Sequence, residues 1–287
     1  MTSLRIGDAL PGIFAKAYPV LDPKIKMLPA MSLLRFHEID ALLLAKEAGK
    51  KQPRAVGGYS TLARLMLVGP EKLGSFLEQP CETASQPVPT LRADQSLSSL
   101  LETFAKTRIG FARVEGKRNV GVLASLSDVL ELYETGAIAA DLTVEEVGSI
   151  RSSMPGGTTM KKALEEMFKK KHRRMFVSGG KEFISDRGII GRIFGAAVLG
   201  KMLHGRAARV EALDIPISSV DKMIPKEVAP NTSLMEAART LAAGRGGQCL
   251  VFGRMVATPW DIVMKPWIAG ALKLKNARDG LRPSSGH

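Results

Sequence analysis

Gly121-Val122-Leu123-Ala124-Ser125-Leu126-Ser127-Asp128 is the stretch on which the reading of this chain turns. Residues suited to a strand run into a serine, and an acid follows three positions later. A hydroxyl between an apolar strand and a new apolar-periodic stretch marks a helix start. Val129, Leu130, Leu132 and Tyr133 supply that helix with candidate buried positions. Working backwards, Gly116-Lys117-Arg118-Asn119 reads as a hairpin turn joining a strand over 109–115 to one over 120–124. Before the hairpin, Leu97, Leu100, Leu101 and Phe104 recur at helical spacing. Ser98, Ser99 or Asp94 can open that helix, Ser99 with Glu102 fits a capping box, and the end falls near Thr107. The unit is helix, strand, strand, helix, led in by an extended piece over 87–91.

The same order returns downstream. Met160, Ala163, Leu164, Met167 and Phe168 share one helical face. Strands over 173–178 and 182–184 flank the tight turn Gly179-Gly180, and Ser185-Asp186-Arg187-Gly188 opens the next helix. It returns again from Ser233, which with Glu236 fits another capping box ahead of Met235, Ala238 and Leu241. Strands over 248–252 and 255–257 follow, joined by Gly253-Arg254, and Thr258-Pro259-Trp260-Asp261 begins the last helix with proline suitably placed in its first turn. The hydroxyls Ser125, Ser185 and Thr258 lie 60 and then 73 residues apart, the longer step holding a connector over 197–212. Stepping back 64 residues from Ser125 reaches Thr61, where Val56-Gly57 matches Val120-Gly121. That first copy is degenerate: Pro29 disturbs its first helix, 46–54 makes an overlong turn after a strand over 39–45, and Arg64 stands in the acid's place.

Bulk properties narrow the classes. The chain of 287 residues carries 41 Lys+Arg against 28 Asp+Glu, a net +13. That excess favours anionic partners without choosing among nucleotide, nucleic acid, acidic protein and anionic lipid. Two cysteines, Cys81 and Cys249, give neither a disulfide framework nor a structural zinc site. The four histidines lack metal-ligand spacing, and no nucleophile elbow or phosphate-binding loop is present, so neither catalytic nor metal residues are expected. The best apolar run, 193–200, is far below the ~20 residues of a membrane span. With no secretory signal at the start, a cytoplasmic protein is expected.

A repeated unit ending in G-apolar-apolar-[ST]-x-x-D resembles the CBS domain (cystathionine beta-synthase domain). The motif stands here as Gly121 to Asp128, as Phe183-Ile184-Ser185-Asp186-Arg187-Gly188, and as Met255-Val256-Ala257-Thr258-Pro259-Trp260-Asp261. The resemblance covers about 18–267. It implies an α/β (α+β) fold of tandem CBS units, with repeats one and two, then three and four, pairing through small sheets flanked by helices into two Bateman modules. The expected boundaries are 1–80, 81–140, 141–200 and 201–270, with a basic tail over 271–287. It further implies a non-catalytic regulator of an enzyme or transporter. The ligand it implies is an adenine nucleotide (AMP, ADP or ATP) or S-adenosylmethionine, held in clefts between units, as in the AMP-activated kinase gamma subunit and stand-alone prokaryotic CBS proteins.

The residues suit that chemistry. Unpaired N–H groups at a helix start attract phosphate, and a carboxylate one turn on can accept two hydrogen bonds from a ribose diol. By resemblance, Ser125, Ser185 and Thr258 would touch phosphate, and Asp128 and Asp261 would hold ribose. Gly188 and Arg64 leave repeats three and one without that acid. One good site is therefore expected on repeat two and one on repeat four. His172, Arg173 and Arg174 are the best cationic candidates, with Arg108 and Arg245 at comparable junctions. The base would meet 87–89, 154–157 or 224–228. Plain alternatives stay open: the hydroxyls and acids are helix caps, and Glu165–Lys169 and Glu166–Lys170 are pairs on a solvated face. A basic DNA- or RNA-binding protein using 201–209 and 265–282, and a ligand-free scaffold, are the rival functions. The regulated protein is unnamed, and a homodimer is left open.

Overall fold

The structure is a computed structural model that describes residues 4–16, 19–37, 39–45, 52–116, 121–194, 211–244 and 248–274. Among the described residues four copies of one unit are present. In repeat two the strand Thr90–Arg92 runs parallel to Phe111–Glu115, which pairs antiparallel with Gly121–Ser125 (Phe111 opposite Ser125, Val114 opposite Val122). Helix Leu97–Thr107 lies in sequence between the first two of these strands, and helix Leu126–Glu134 follows the third. Repeat three follows with Ser153–Met154, helix Met160–Lys170, strands Arg174–Val177 and Phe183–Ser185, and helix Asp186–Ile193. Repeat four is Lys226–Glu227, helix Leu234–Ala242, strands Leu250–Phe252 and Met255–Ala257, and helix Pro259–Ile268. In repeat one the parallel strand shrinks to a bridge between Leu21 and Leu44, followed by helix Met27–Phe36, strands Ala41–Leu43 and Arg54–Gly57, and helix Gly58–Val68.

Local chemistry explains the boundaries. Leu97, Leu100, Leu101 and Phe104 are all fully buried, so one apolar stripe drives the first helix of repeat two onto the sheet. Its cap is Ser96, whose hydroxyl accepts the Ser99 N–H at 3.2 Å, not Ser98, Ser99 or Asp94. Glu102 serves Lys106 one turn on instead of a capping box. Ser233 caps as expected, accepting the Glu236 N–H at 3.3 Å. Gly179 and Gly180 both take positive φ, 93° and 68°, which a tight two-residue turn needs and glycine supplies without strain.

Repeat one departs from the sequence reading. Pro29 sits in the first turn of Met27–Phe36, where its missing N–H forfeits no helical bond. The second helix begins at Gly58, because the strand ends at Gly57 and Ser60 Oγ accepts the Gly57 N–H at 3.2 Å. The counterparts of Ser125 and Asp128 are thus Gly57 and Ser60. Thr61 is buried in the core and Arg64 is exposed.

The chain folds into two compact units, one of 1–17, 88–150 and 226–287, the other of 18–87 and 151–225. The first therefore contains repeats two and four, the second repeats one and three. Within each unit the apolar faces of the second helices bury against the alternate repeat. In the first unit Leu126–Glu134 packs on Leu234–Ala242 and Pro259–Ile268, and the buried Tyr133 hydroxyl donates to the Ile262 carbonyl at 2.9 Å. In the second, Gly58–Val68 packs on Asp186–Ile193.

Linkers finish the sheets. Gln86–Pro87, leading into repeat two, pairs antiparallel with Arg54–Gly57 of repeat one. The 3₁₀ turn Pro11–Ala15, leading into repeat one, lies against Gly121–Ser125 of repeat two. Ser149–Ile150, leading into repeat three, pairs with Met255–Ala257 of repeat four, and Met223, leading into repeat four, bridges to Phe183 of repeat three. The exchange is reciprocal within one–two and within three–four, and it protects a strand edge that would otherwise be bare.

Candidate functional site

Three of the linkers reach a helix start, through Lys16 in repeat two, Asp221 in repeat three and Ser149 in repeat four. In repeat two the Ser125 N–H and hydroxyl both donate to Asp128 Oδ2, at 2.6 and 2.7 Å. Asp128 is buried, and its other oxygen, Oδ1, is ion-paired to Lys16 at the end of the exchanged linker. Repeat four repeats the design. The Thr258 N–H and hydroxyl donate to Asp261 Oδ2 at 2.9 and 2.7 Å. Asp261 Oδ1 accepts the hydroxyl of Ser149, from its own exchanged linker, at 3.1 Å and pairs with Lys265 at 2.9 Å. In both cases a buried carboxylate folds back over its cap with one oxygen and meets an ammonium with the other. Both acids cap their helices, and both carry a cation beside them.

Repeat three is built differently. Ser185 Oγ accepts the Gly188 N–H at 3.2 Å, an ordinary cap. A Cβ on Gly188 would lie 3.1 Å from the Asp221 carbonyl oxygen, so the linker occupies the space an acid would need. The acid sits instead at the first helical position: Asp186, buried, takes Arg173 Nε and Nη2 on one oxygen at 2.9 and 2.7 Å. Arg173 Nη2 also donates to Asp40 of repeat one at 2.7 Å, and Arg187 pairs with the same Asp40 oxygen at 3.1 Å. Burial alone would raise the Asp40 pKa, but the two guanidiniums override it and hold the carboxyl well below its ordinary range.

Arg173 is therefore committed to an internal ion cluster. His172 Nδ1 shares a hydrogen bond with Ser152 Oγ at 3.1 Å, and Arg174 stands opposite Ser185 in the sheet. The site candidates fall into two groups: Ser125, Asp128, Thr258 and Asp261 in one compact unit, and His172, Arg173, Arg174 and Ser185 in the other. Lys170 pairs with Glu166 on an exposed face, and Lys171 closes its helix in the left-handed conformation at φ 55°. Arg108 closes its helix likewise and lies over the Trp260 ring at 5.9 Å. Arg245, 201–209 and most of the basic tail lie outside the described residues. Lys265, grouped with that tail on sequence, belongs to the last helix.

Lys16 and Lys265 are the contributors that the sequence reading missed. Lys265 had a local signal, since Asp261 and Lys265 are i,i+4 neighbours on a helix. Lys16 had none, lying 112 residues from its partner. Among the described residues no cluster of three or more metal-ligating side chains occurs and no helix is long and apolar enough to cross a membrane. Burial pushes the Cys81 thiol up to about 11, which suits a core thiol and not a nucleophile.

No family model matches the chain, and no curated protein matches it in sequence. Solved structures do. A protein from Methanocaldococcus jannaschii, described as a candidate archaeal homologue of g-AMPK, superposes with a TM-score of 0.76 over 92% of this chain and 100% of that one, at 15% identity. An uncharacterised conserved protein from Pyrococcus horikoshii overlaps 78% of this chain and 89% of that one at 12% identity and a TM-score of 0.45. A CBS domain protein from Pyrobaculum aerophilum, complexed with AMP, overlaps 46% of this chain and 99% of that one at 17% identity and a TM-score of 0.35.

Proposed function

We propose that this chain, whose fold is the tandem CBS fold, is a non-catalytic regulatory module of the cytoplasm that binds an adenine nucleotide or S-adenosylmethionine. The observation that carries this reading is the Ser125–Asp128 cap with Lys16 beside it. A helix start offers N–H groups and a positive dipole end to phosphate, the carboxylate offers acceptors to a ribose diol, and an ammonium stands next to both. Thr258, Asp261 and Lys265 share that geometry, but Ser149 and Lys265 close the cluster on itself. The cation assigned to phosphate is now Lys16, in place of Arg173. A ligand that contacts one arrangement of the repeats better than another shifts the population toward it, and a partner enzyme or transporter that reads that arrangement is thereby regulated.

The test is a thermal-unfolding panel on the full chain with AMP, ADP, ATP, S-adenosylmethionine, short DNA and short RNA. An adenosine compound at 100 times its Kd adds about 2.7 kcal/mol. Stabilisation by an adenosine compound that persists at high salt supports the reading. Stabilisation by nucleic acid alone, falling steeply with salt as counterions are released, overturns it in favour of the polyanion-binding alternative. No stabilisation by any adenosine compound overturns it in favour of a scaffold.

A further inference from the structure

The two acid caps share a geometry but differ in what they have left to give. A carboxylate has about four acceptor positions. Asp261 uses all of them within the chain: Thr258 N–H and hydroxyl on Oδ2, Ser149 hydroxyl and Lys265 on Oδ1. Lys265 is itself fixed by the Val147 and Gly148 carbonyls and by Ser149. Opening this acid would strip a whole cluster. Asp128 also fills Oδ2, but among the described residues its Oδ1 receives Lys16 alone. Lys16 is 33% exposed and has a second acid, the exposed Glu131, 3.8 Å away. Moving one side chain therefore frees the whole of Oδ1, and the displaced ammonium keeps an anion within reach.

Resting on the nucleotide reading above, we infer that Lys16 is an internal, displaceable occupant of the repeat-two site. It holds Asp128 when no ligand is there and yields Oδ1 to the sugar diol when one arrives. Its ammonium then turns to the incoming phosphate, which recovers the lost ion pair, whereas a nucleoside without phosphate leaves it only the exposed Glu131. Lys16 thus sets preference for nucleotide over nucleoside. Repeat four's acid is a closed clamp, and the chain offers one ligand acid, not two.

The experiment is calorimetric titration of adenosine and of AMP into the full chain and its Lys16→Met and Lys265→Met variants. Lys16→Met binds adenosine about fivefold more tightly, the scale of one partly exposed ion pair, and its AMP-to-adenosine preference falls. Lys265→Met leaves both affinities unchanged. If Lys16→Met does not fold, Lys16→Gln, which removes the charge and keeps a donor, shifts the same way. Unchanged or weaker adenosine binding in the Lys16 variants, with AMP still bound by the parent, overturns this inference and leaves the nucleotide reading standing. Absence of adenosine and AMP binding from parent and variants alike overturns both.

Discussion

The compact unit of repeats two and four and the compact unit of repeats one and three are made from the same repeat, yet they spend their acids differently. In the first, the third helical position carries Asp128 and Asp261, each folded over its own cap with a lysine at the remaining oxygen. In the second, the third positions are Ser60 and Gly188. The acid has moved to the first helical position, Asp186, where it binds Arg173 together with Asp40. An acid two residues earlier faces the neighbouring repeat instead of its own cap. The lesson is that a two-residue displacement of one carboxylate converts a site that can offer acceptors into a charged rivet joining repeats.

The largest effect that would break this comparison is on the rivet. Arg173→Met strands Asp186 and leaves Asp40 with Arg187 alone. Breaking a buried pair costs ~3–5 kcal/mol; with Arg173 39% exposed, a loss of about 2 kcal/mol in urea unfolding of the full chain is expected. A loss indistinguishable from zero would make the cluster incidental. Next comes acid. Asp40 has its pKa depressed in the folded state by Arg173 and Arg187 against the opposing pull of burial. Its contribution is therefore complete above the unfolded value of about 3.9 and is lost as pH falls below it. Thermal unfolding from pH 6 to pH 3 should show a drop below about pH 4 that Asp40→Asn flattens; an identical profile in the variant would remove Asp40 from the account. Smaller still is Gly188→Asp, which gives repeat three the acid of its relatives. With the Asp221 carbonyl 3.1 Å from the new Cβ, the variant should lose about 1 kcal/mol and gain no nucleotide site. Full stability with an added binding equivalent would show that residue type alone, and not the linker, separates the two units.

The repeat order was legible because each element has a local cause. The stripe of Leu97, Leu100, Leu101 and Phe104 fixes a helix, Gly179-Gly180 fixes a turn, and Ser125 and Thr258 mark strand-to-helix joints with their hydroxyls. Repeat one was misaligned for the same reason in reverse. Its joint is Gly57, which carries no hydroxyl to signal a cap, and the nearby Thr61 imitates one although it belongs to the core. The acids of the candidate site were legible from spacing. Of their partners, Lys265 had a local signal as the i,i+4 neighbour of Asp261, but Lys16 reaches Asp128 across 112 residues and Arg173 reaches Asp40 across 133. No local pattern encodes which alternate repeats share a core or which linker crosses to which sheet. Those outcomes follow from burial of helix faces and of strand edges in the folded chain.

The central claim is that Asp128 holds the ligand and Asp261 only holds the fold. Calorimetric titration of AMP into the parent, Asp128→Asn and Asp261→Asn tests it most directly. The account expects one AMP equivalent in the parent, an affinity weakened at least about tenfold by Asp128→Asn, equivalent to about 1.4 kcal/mol, and an affinity unchanged by Asp261→Asn. Equal binding in the parent and Asp128→Asn, or a loss confined to Asp261→Asn, would contradict it.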